Sequence, residues 1–227
     1  MGVIVMSSED VADRHKKQLS VMRGWLEGKG YYSAAEALEL VRGLEVGLRK
    51  DGKTPKFHHQ LSVARLISTL APHLTYPEET ITSAFLHDLL EDHGDEWTRG
   101  MVEDRFGGLV ANAVWRLSKK SAGMVKTYDR YFDDMGACPI ASVVKLADRA
   151  HNLHTMQGVF DYEKQAAYVN EVSLWFHPMI KRARRLFPRQ YPAYENLKLF
   201  LLGQMTLIKQ IHLAAQHQQA KGTPECE

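Results

Sequence analysis

The chain has 227 residues, 44% of them hydrophobic, enough for one domain with a conventional buried core. A net charge of +2 lacks the lysine and arginine excess of a dedicated nucleic-acid binder. No apolar run approaches the roughly 20 residues of a membrane helix, and Val3-Ile4-Val5-Met6 is too short for a signal-peptide core, which predicts a cytoplasmic protein with no membrane partner. The two cysteines, Cys138 and Cys226, are too far apart in sequence for a disulfide framework or zinc knuckle, so any metal must be held by histidine and carboxylate.

In chain order, the first ten residues read as disordered, and Ser8 or Asp10 can start a helix that Gly28-Lys29-Gly30 stops. Residues 1–30 are thus an N-terminal helical extension, residues 31–213 the main domain and residues 214–227 a loose tail. Ser33-Ala34-Ala35-Glu36 has capping-box form before Leu38, Val41, Leu44 and Leu48 at helical spacing, which predicts a second helix ending near Arg49. The following loop, residues 49–56, carries Arg49, Lys50, Lys53 and Lys56, four cations suited to phosphate.

His59 shares a stripe with Val63, Leu66, Ile67 and Leu70 and points inward, whereas His58 falls with Ser62, Arg65 and Thr69 and points outward. The next helix, starting at residues 75–79, has Ile81, Ala84 and Phe85 inside, and one turn on the same stripe reaches Asp88, then Glu91 and Asp92. An apolar stripe that leads into carboxylates buries them, at a cost of several kcal/mol unless a cation or strong donors meet them. Residues 102–117 support one or two helices broken at Gly107-Gly108, residues 119–123 a basic loop, and Tyr128 to Met135 a further helix. Asp148 and Asn152, one turn apart on the face continuing from Val144, then bring a second buried acid beside an amide.

Glu163 to Leu186 is amphipathic with an interruption at His177-Pro178, and its basic run Lys181 to Arg185 reads as a solvated face. Tyr194 to Leu213 is strongly apolar. With no strand and helix alternation, internal repeat or glycine-rich phosphate loop, the fold class is all-α.

His59, His87, Asp88 and Asp148 form a mixed nitrogen and oxygen set suited to Mn(II), Fe(II) or Zn(II). Such an ion lowers the pKa of a water and polarises a phosphoryl oxygen, which points to metal-dependent hydrolysis with Glu91 and Asp92 serving the water. Lys50 and Lys53 are candidate phosphate contacts.

The spacing of His59, His87-Asp88 and Asp148 resembles the metal-binding pattern of the HD phosphohydrolase superfamily. Arg49-Lys50-Asp51-Gly52, His87-Asp88-Leu89-Leu90-Glu91-Asp92, Phe106-Gly107-Gly108-Leu109-Val110 and Lys145-Leu146-Ala147-Asp148-Arg149-Ala150-His151-Asn152 further resemble the hydrolase domain of RelA/SpoT-type alarmone enzymes, over residues 34–202. The resemblance implies an HD-type helical bundle and a small, hydrolase-only enzyme. It implies a Mn(II)-dependent 3′-pyrophosphohydrolase of (p)ppGpp, with His59, His87, Asp88 and Asp148 as ligands and Glu91 and Asp92 as the water-handling pair. Arg49 would lie near the guanine and Asn152 against the nucleoside. Three positions depart from that pattern: Lys56 for Tyr, Gln60 for Pro and His154 for Arg. Two alternatives stand beside this reading, an HD-type dNTP triphosphohydrolase or 5′-nucleotidase, and a non-catalytic nucleotide-sensing module. A helical enzyme of this size is also a candidate homo-oligomer.

Overall fold

A computed structural model describes residues 8–121 and 123–222, and most of these are helical. Helices α1 (Ser8–Lys29) and α2 (Tyr32–Leu44) precede α3 (His58–Ser68), α4 (Pro77–Phe85) and the single turn α5 (Leu89–Asp92). Next come α6 (Arg99–Phe106), α7 (Gly108–Leu117), a hairpin of β1 (Lys120–Ser121) and β2 (Met124–Val125), and α8 (Tyr128–Gly136). The chain ends with α9 (Pro139–Thr155), α10 (Tyr162–Glu171), α11 (His177–Leu186) and α12 (Tyr191–Gly222).

Helix α9 is the axis of the bundle. It packs against α3, α4, α7, α8 and α12, so it is buried on almost every side. Ala141, Ser142, Ala147 and Ala150 let those neighbours approach closely. The packing of α12 on α9 includes a buried polar knot: Tyr194 Oη lies 2.8 Å from Ser142 Oγ, and Gln190 donates to the Pro139 carbonyl at 3.0 Å. Each of these groups is satisfied, which is what permits them in a core.

Local chemistry explains most boundaries. Thr98, Thr127 and Asp161 cap α6, α8 and α10 by accepting from Met101, Arg130 and Lys164 backbone N–H groups. Gly107, at φ 83°, separates α6 from α7 where the glycine pair predicts a break.

Several boundaries differ from those read in the sequence. The capping box at Ser33 does not form, because α2 already begins at Tyr32 and has no side-chain cap. Ser33 N–H instead donates to Glu78 at 2.9 Å, and Glu36 pairs with Arg105 at 2.6 Å, so tertiary partners take both halves of the box. Helix α2 ends at Leu44 rather than near Arg49, and Gly47 follows at φ 97°. The basic loop at residues 119–123 carries a two-residue hairpin, pairing Lys120 with Val125 and Ser121 with Met124. Between α10 and α11 the helix is not cut but passes through a π-helical turn, Val172–Phe176. A π-turn leaves room for a proline that lacks an N–H, and Pro178 stands just beyond it. Helix α12 runs through Gly222, so residues 214–222 are helical where a loose tail was expected; Ala, Gln and Lys there are strong helix formers. Residues 1–7 of the expected disordered start, and residues 223–227 of the tail, lie outside the described residues.

Candidate metal centre

His59 enters from the first turn of α3 and is buried, as its stripe with Val63 and Ile67 requires. His58 departs from the outward position expected of it: it is half-buried, packs near the rings of His15 and His151, and lines the same cavity as His59. His87 and Asp88 do not lie on a continuous helix. Helix α4 stops at Phe85 and α5 starts at Leu89, with Asp88 at φ −96° and ψ −4°. This break frees the Ala84 carbonyl, which accepts a hydrogen bond from His87 Nδ1 at 2.7 Å. With one proton committed there, His87 turns Nε2 into the site, and an ion that displaced the second proton would meet its lone pair.

Asp148 comes from the middle of α9. His59 Nε2, His87 Nε2 and an Asp148 oxygen lie within 4.8 Å of one another. His59 Nε2 is 3.2 Å from His87 Nε2 and 3.2 Å from Asp148 Oδ1, while Asp88 Oδ2 is 2.9 Å from His87 Nε2. Two lone-pair nitrogens and two carboxylates gathered this closely, and mostly out of water, repel one another unless a cation stands among them. The titration behaviour says the same. Burial would lower the pKa of His87, but Asp88 and Asp148 override burial and push it up to about 9. Burial would likewise raise Asp148, but Lys145, His59 and His87 hold it well below the usual carboxylate range. The donor set fits a first-row divalent ion in identity and convergence.

His151 completes the support and was not singled out from the sequence. Its Nδ1 lies 2.9 Å from His59 Nδ1. Burial, with His59, Arg49 and His58 close by, pushes its pKa down to about 2, so it is neutral and can accept. If His59 presents Nε2 to an ion, its proton is on Nδ1, and His151 is the acceptor that holds that tautomer. The available signal was position: His151 follows Asp148 by three residues and shares its face. Lys145 pairs with the other Asp148 oxygen at 2.9 Å, and Asn152 Nδ2 donates to Oδ1 at 2.6 Å.

Above this floor opens a cavity of about 380 Å³. Arg49, Lys50 and Lys56 stand on its rim, with Asp92 and Asn152 also in the wall. Met156, Val159 and Phe160 form an apolar side that no motif foretold; Lys50 Nζ lies 5.4 Å from the Phe160 ring centre. Lys53 is exposed and lies outside the lining.

The two acids of α5 diverge. Asp92 lines the cavity, and burial, aided by Asp88, Glu45 and Glu91, raises its pKa. Glu91 turns away from the lining and accepts from the backbone N–H groups of Lys119 and of Lys120, the latter at 3.0 Å, tying α5 to the hairpin.

Residues 57–153 match the sequence profile of the HD domain. The chain is 30% identical over 167 residues to a probable GTP pyrophosphokinase of Mycobacterium leprae, covering 68% of this chain and 20% of that protein. It is 26% identical to the guanosine-3′,5′-bis(diphosphate) 3′-pyrophosphohydrolase of Haemophilus influenzae, covering 63% of this chain and 21% of that one. With the enzyme of the same name from Aquifex aeolicus the identity is 29%, covering 70% and 26% respectively. The matches span about a fifth to a quarter of the length of these relatives. Among the described residues no helix is long and apolar enough to cross a membrane.

Proposed function

Starting from an HD domain at residues 57–153, we propose that the protein is a Mn(II)-dependent phosphohydrolase that removes pyrophosphate from the 3′ position of (p)ppGpp. The observation that carries this is the meeting of His59, His87 and Asp148 donor atoms, with His59 and Asp88 lining a cavity with a cationic rim. His59, His87, Asp88 and Asp148 would hold the ion, which supplies Lewis acidity at phosphorus and a water of lowered pKa.

The side chains do the rest. His151 and the Ala84 carbonyl hold the two imidazoles in the tautomers that leave both Nε2 atoms free. Asp92, whose raised pKa brings it nearer neutrality, accepts the proton of the attacking water. That water adds to the phosphorus attached to O3′, the P–O3′ bond breaks, and O3′ takes a proton, giving GDP (GTP from pppGpp) and pyrophosphate. Arg49, Lys50 and Lys56 neutralise the phosphates, while Val159 and Phe160 offer an apolar wall to the nucleoside. Glu91 serves the reaction by keeping α5 in place through the hairpin. Asn152, already a donor to Asp148, stands where a ribose hydroxyl would meet it.

A second reading, hydrolysis of another nucleotide in the same cavity, is favoured by one observation: Lys56 lines the rim where the alarmone pattern has Tyr. Purified protein with Mn(II) tests both. Release of pyrophosphate and GDP from ppGpp is the expected result. Triphosphate or phosphate released from dNTPs or nucleoside monophosphates, with ppGpp untouched, overturns the alarmone reading; no turnover of any of them overturns hydrolysis altogether.

A further inference from the structure

A second cavity, of about 600 Å³, lies between α11 and the first turns of α12 and shares no lining residue with the first. Its wall holds five basic side chains: His177, Lys181, Arg184, Arg185 and Lys198. The first four recur at intervals of four, three and one along α11, so they share one face. The basic run at residues 181–185 is therefore not the uniform solvated face that its composition suggests. Arg182 leaves it to pair with Asp133 at 2.5 Å, and Ala183 is buried, while Lys181, Arg184 and Arg185 line the cavity.

The charge there is poorly compensated. Glu195 is the nearby carboxylate, 2.5 Å from Arg184 and 3.9 Å from Lys198. Among the described residues neither Lys181 nor Arg185 has an ion-pair partner. Like charges at helical spacing cost stability, and this helix face keeps them. His177 Nε2 is buried with no hydrogen-bond partner, and burial together with Lys198 lowers the His177 pKa, leaving a neutral ring with an unmet polar atom. Ile180, Tyr191 and Leu202 supply an apolar side, and the Arg184 guanidinium lies 4.5 Å from the Tyr191 ring centre.

Cations that line one concavity and a planar stacking pair together suit a phosphorylated small molecule with an aromatic base. The volume is that of a small-ligand pocket. A nucleic acid would call for cations in a track along the surface and for a more basic chain than a net charge of +2. We infer that this cavity is a second, non-catalytic site for a nucleoside polyphosphate, independent of whatever is hydrolysed in the first.

Calorimetric titration of GTP and of pyrophosphate into the full-length protein in EDTA tests this. A saturable GTP site is expected that survives Arg49→Ala, weakens at least tenfold in Lys181→Glu/Arg185→Glu, and weakens as salt rises. Guanosine should not compete for it. Lys181→Gln/Arg185→Gln, which removes charge without reversing it, should give an intermediate loss, and thermal melts would show that each variant is folded. Equal affinity in the folded double variants, the absence of any saturable site that survives Arg49→Ala, or single-stranded RNA bound more tightly than GTP through the same residues would overturn the inference.

Discussion

Asp148 and Lys53 were both read from the sequence as site residues, and they stand at opposite ends of what a fold can specify. Asp148 is 5% exposed in the middle of α9, with Lys145, Asn152 and His59 all in contact with its carboxylate. Lys53 is exposed on the loop that leads to α3 and lies outside the cavity wall. The same contrast divides the whole first cavity. Its floor takes His59 and Asp148 from packed helices and His87 and Asp88 from the break between α4 and α5, while its rim cations come from the loop before α3. Floor residues should therefore govern metal binding and turnover, and rim residues affinity.

The largest effect should come from Asp148→Ala. It removes a ligand and leaves the Lys145 ammonium buried without its partner, so metal binding and turnover are lost and the metal-free protein loses about 3–5 kcal/mol of stability. Elemental analysis and denaturant unfolding check both parts, and a stable, active variant would sink the floor assignment. Next, Asp92→Asn should retain metal and lose roughly 10²–10⁴-fold in kcat. Glu91→Gln, which keeps an oxygen to accept from the hairpin, should lose less; the reverse order would return the water-handling role to Glu91. At the rim, Arg49→Ala should raise KM about tenfold with little change in kcat, as expected for uniform binding, and Lys53→Ala should change neither.

The smallest effect separates two lysines. Lys145, opposite Asp148, is held charged: burial opposes its charge, but the carboxylate outweighs it and raises the pKa. Lys126 meets the Trp115 and Arg116 carbonyls and the rings of Trp115 and Tyr131 rather than a carboxylate at hydrogen-bond distance, and burial lowers its pKa to about 8. From there up to the unfolded value near 10.5, the unfolded chain holds a proton that the folded chain has released. Stability should therefore rise with pH through that window. Urea midpoints at pH 8 and pH 10 should show a gain in the parent protein that Lys126→Met lacks.

What the sequence disclosed follows the same division. His59 and Asp148 could be assigned an inward direction because each lies on an apolar stripe of a regular helix, where periodicity fixes orientation. The stripe through Phe85 places Asp88 inside, yet the helix breaks there and leaves Asp88 half-buried, and nothing in the period orients His87. Beyond that break Glu91 turns to the hairpin and Asp92 to the cavity, partners that sequence spacing does not name. Val159 and Phe160 carry no motif at all; they reach the cavity because the chain turns at Gly158, φ 73°. His58 moved inward for a different reason: His15, far off in sequence, covers it from α1.

The π-turn at Val172–Phe176 acts as a phase shifter for everything that follows it. A π-turn is equivalent to one residue added to an α-helix, and one residue is about 100° of rotation. Deleting a single residue there would let α10 and α11 run on as an ordinary helix while turning the basic face of α11 by that angle. His177, Lys181 and Arg185 would then aim away from Tyr191 and Lys198, and the second cavity would lose most of its charge without the loss of a single charged residue. A deletion variant that folds but still binds GTP as the parent does would show that this angle is immaterial.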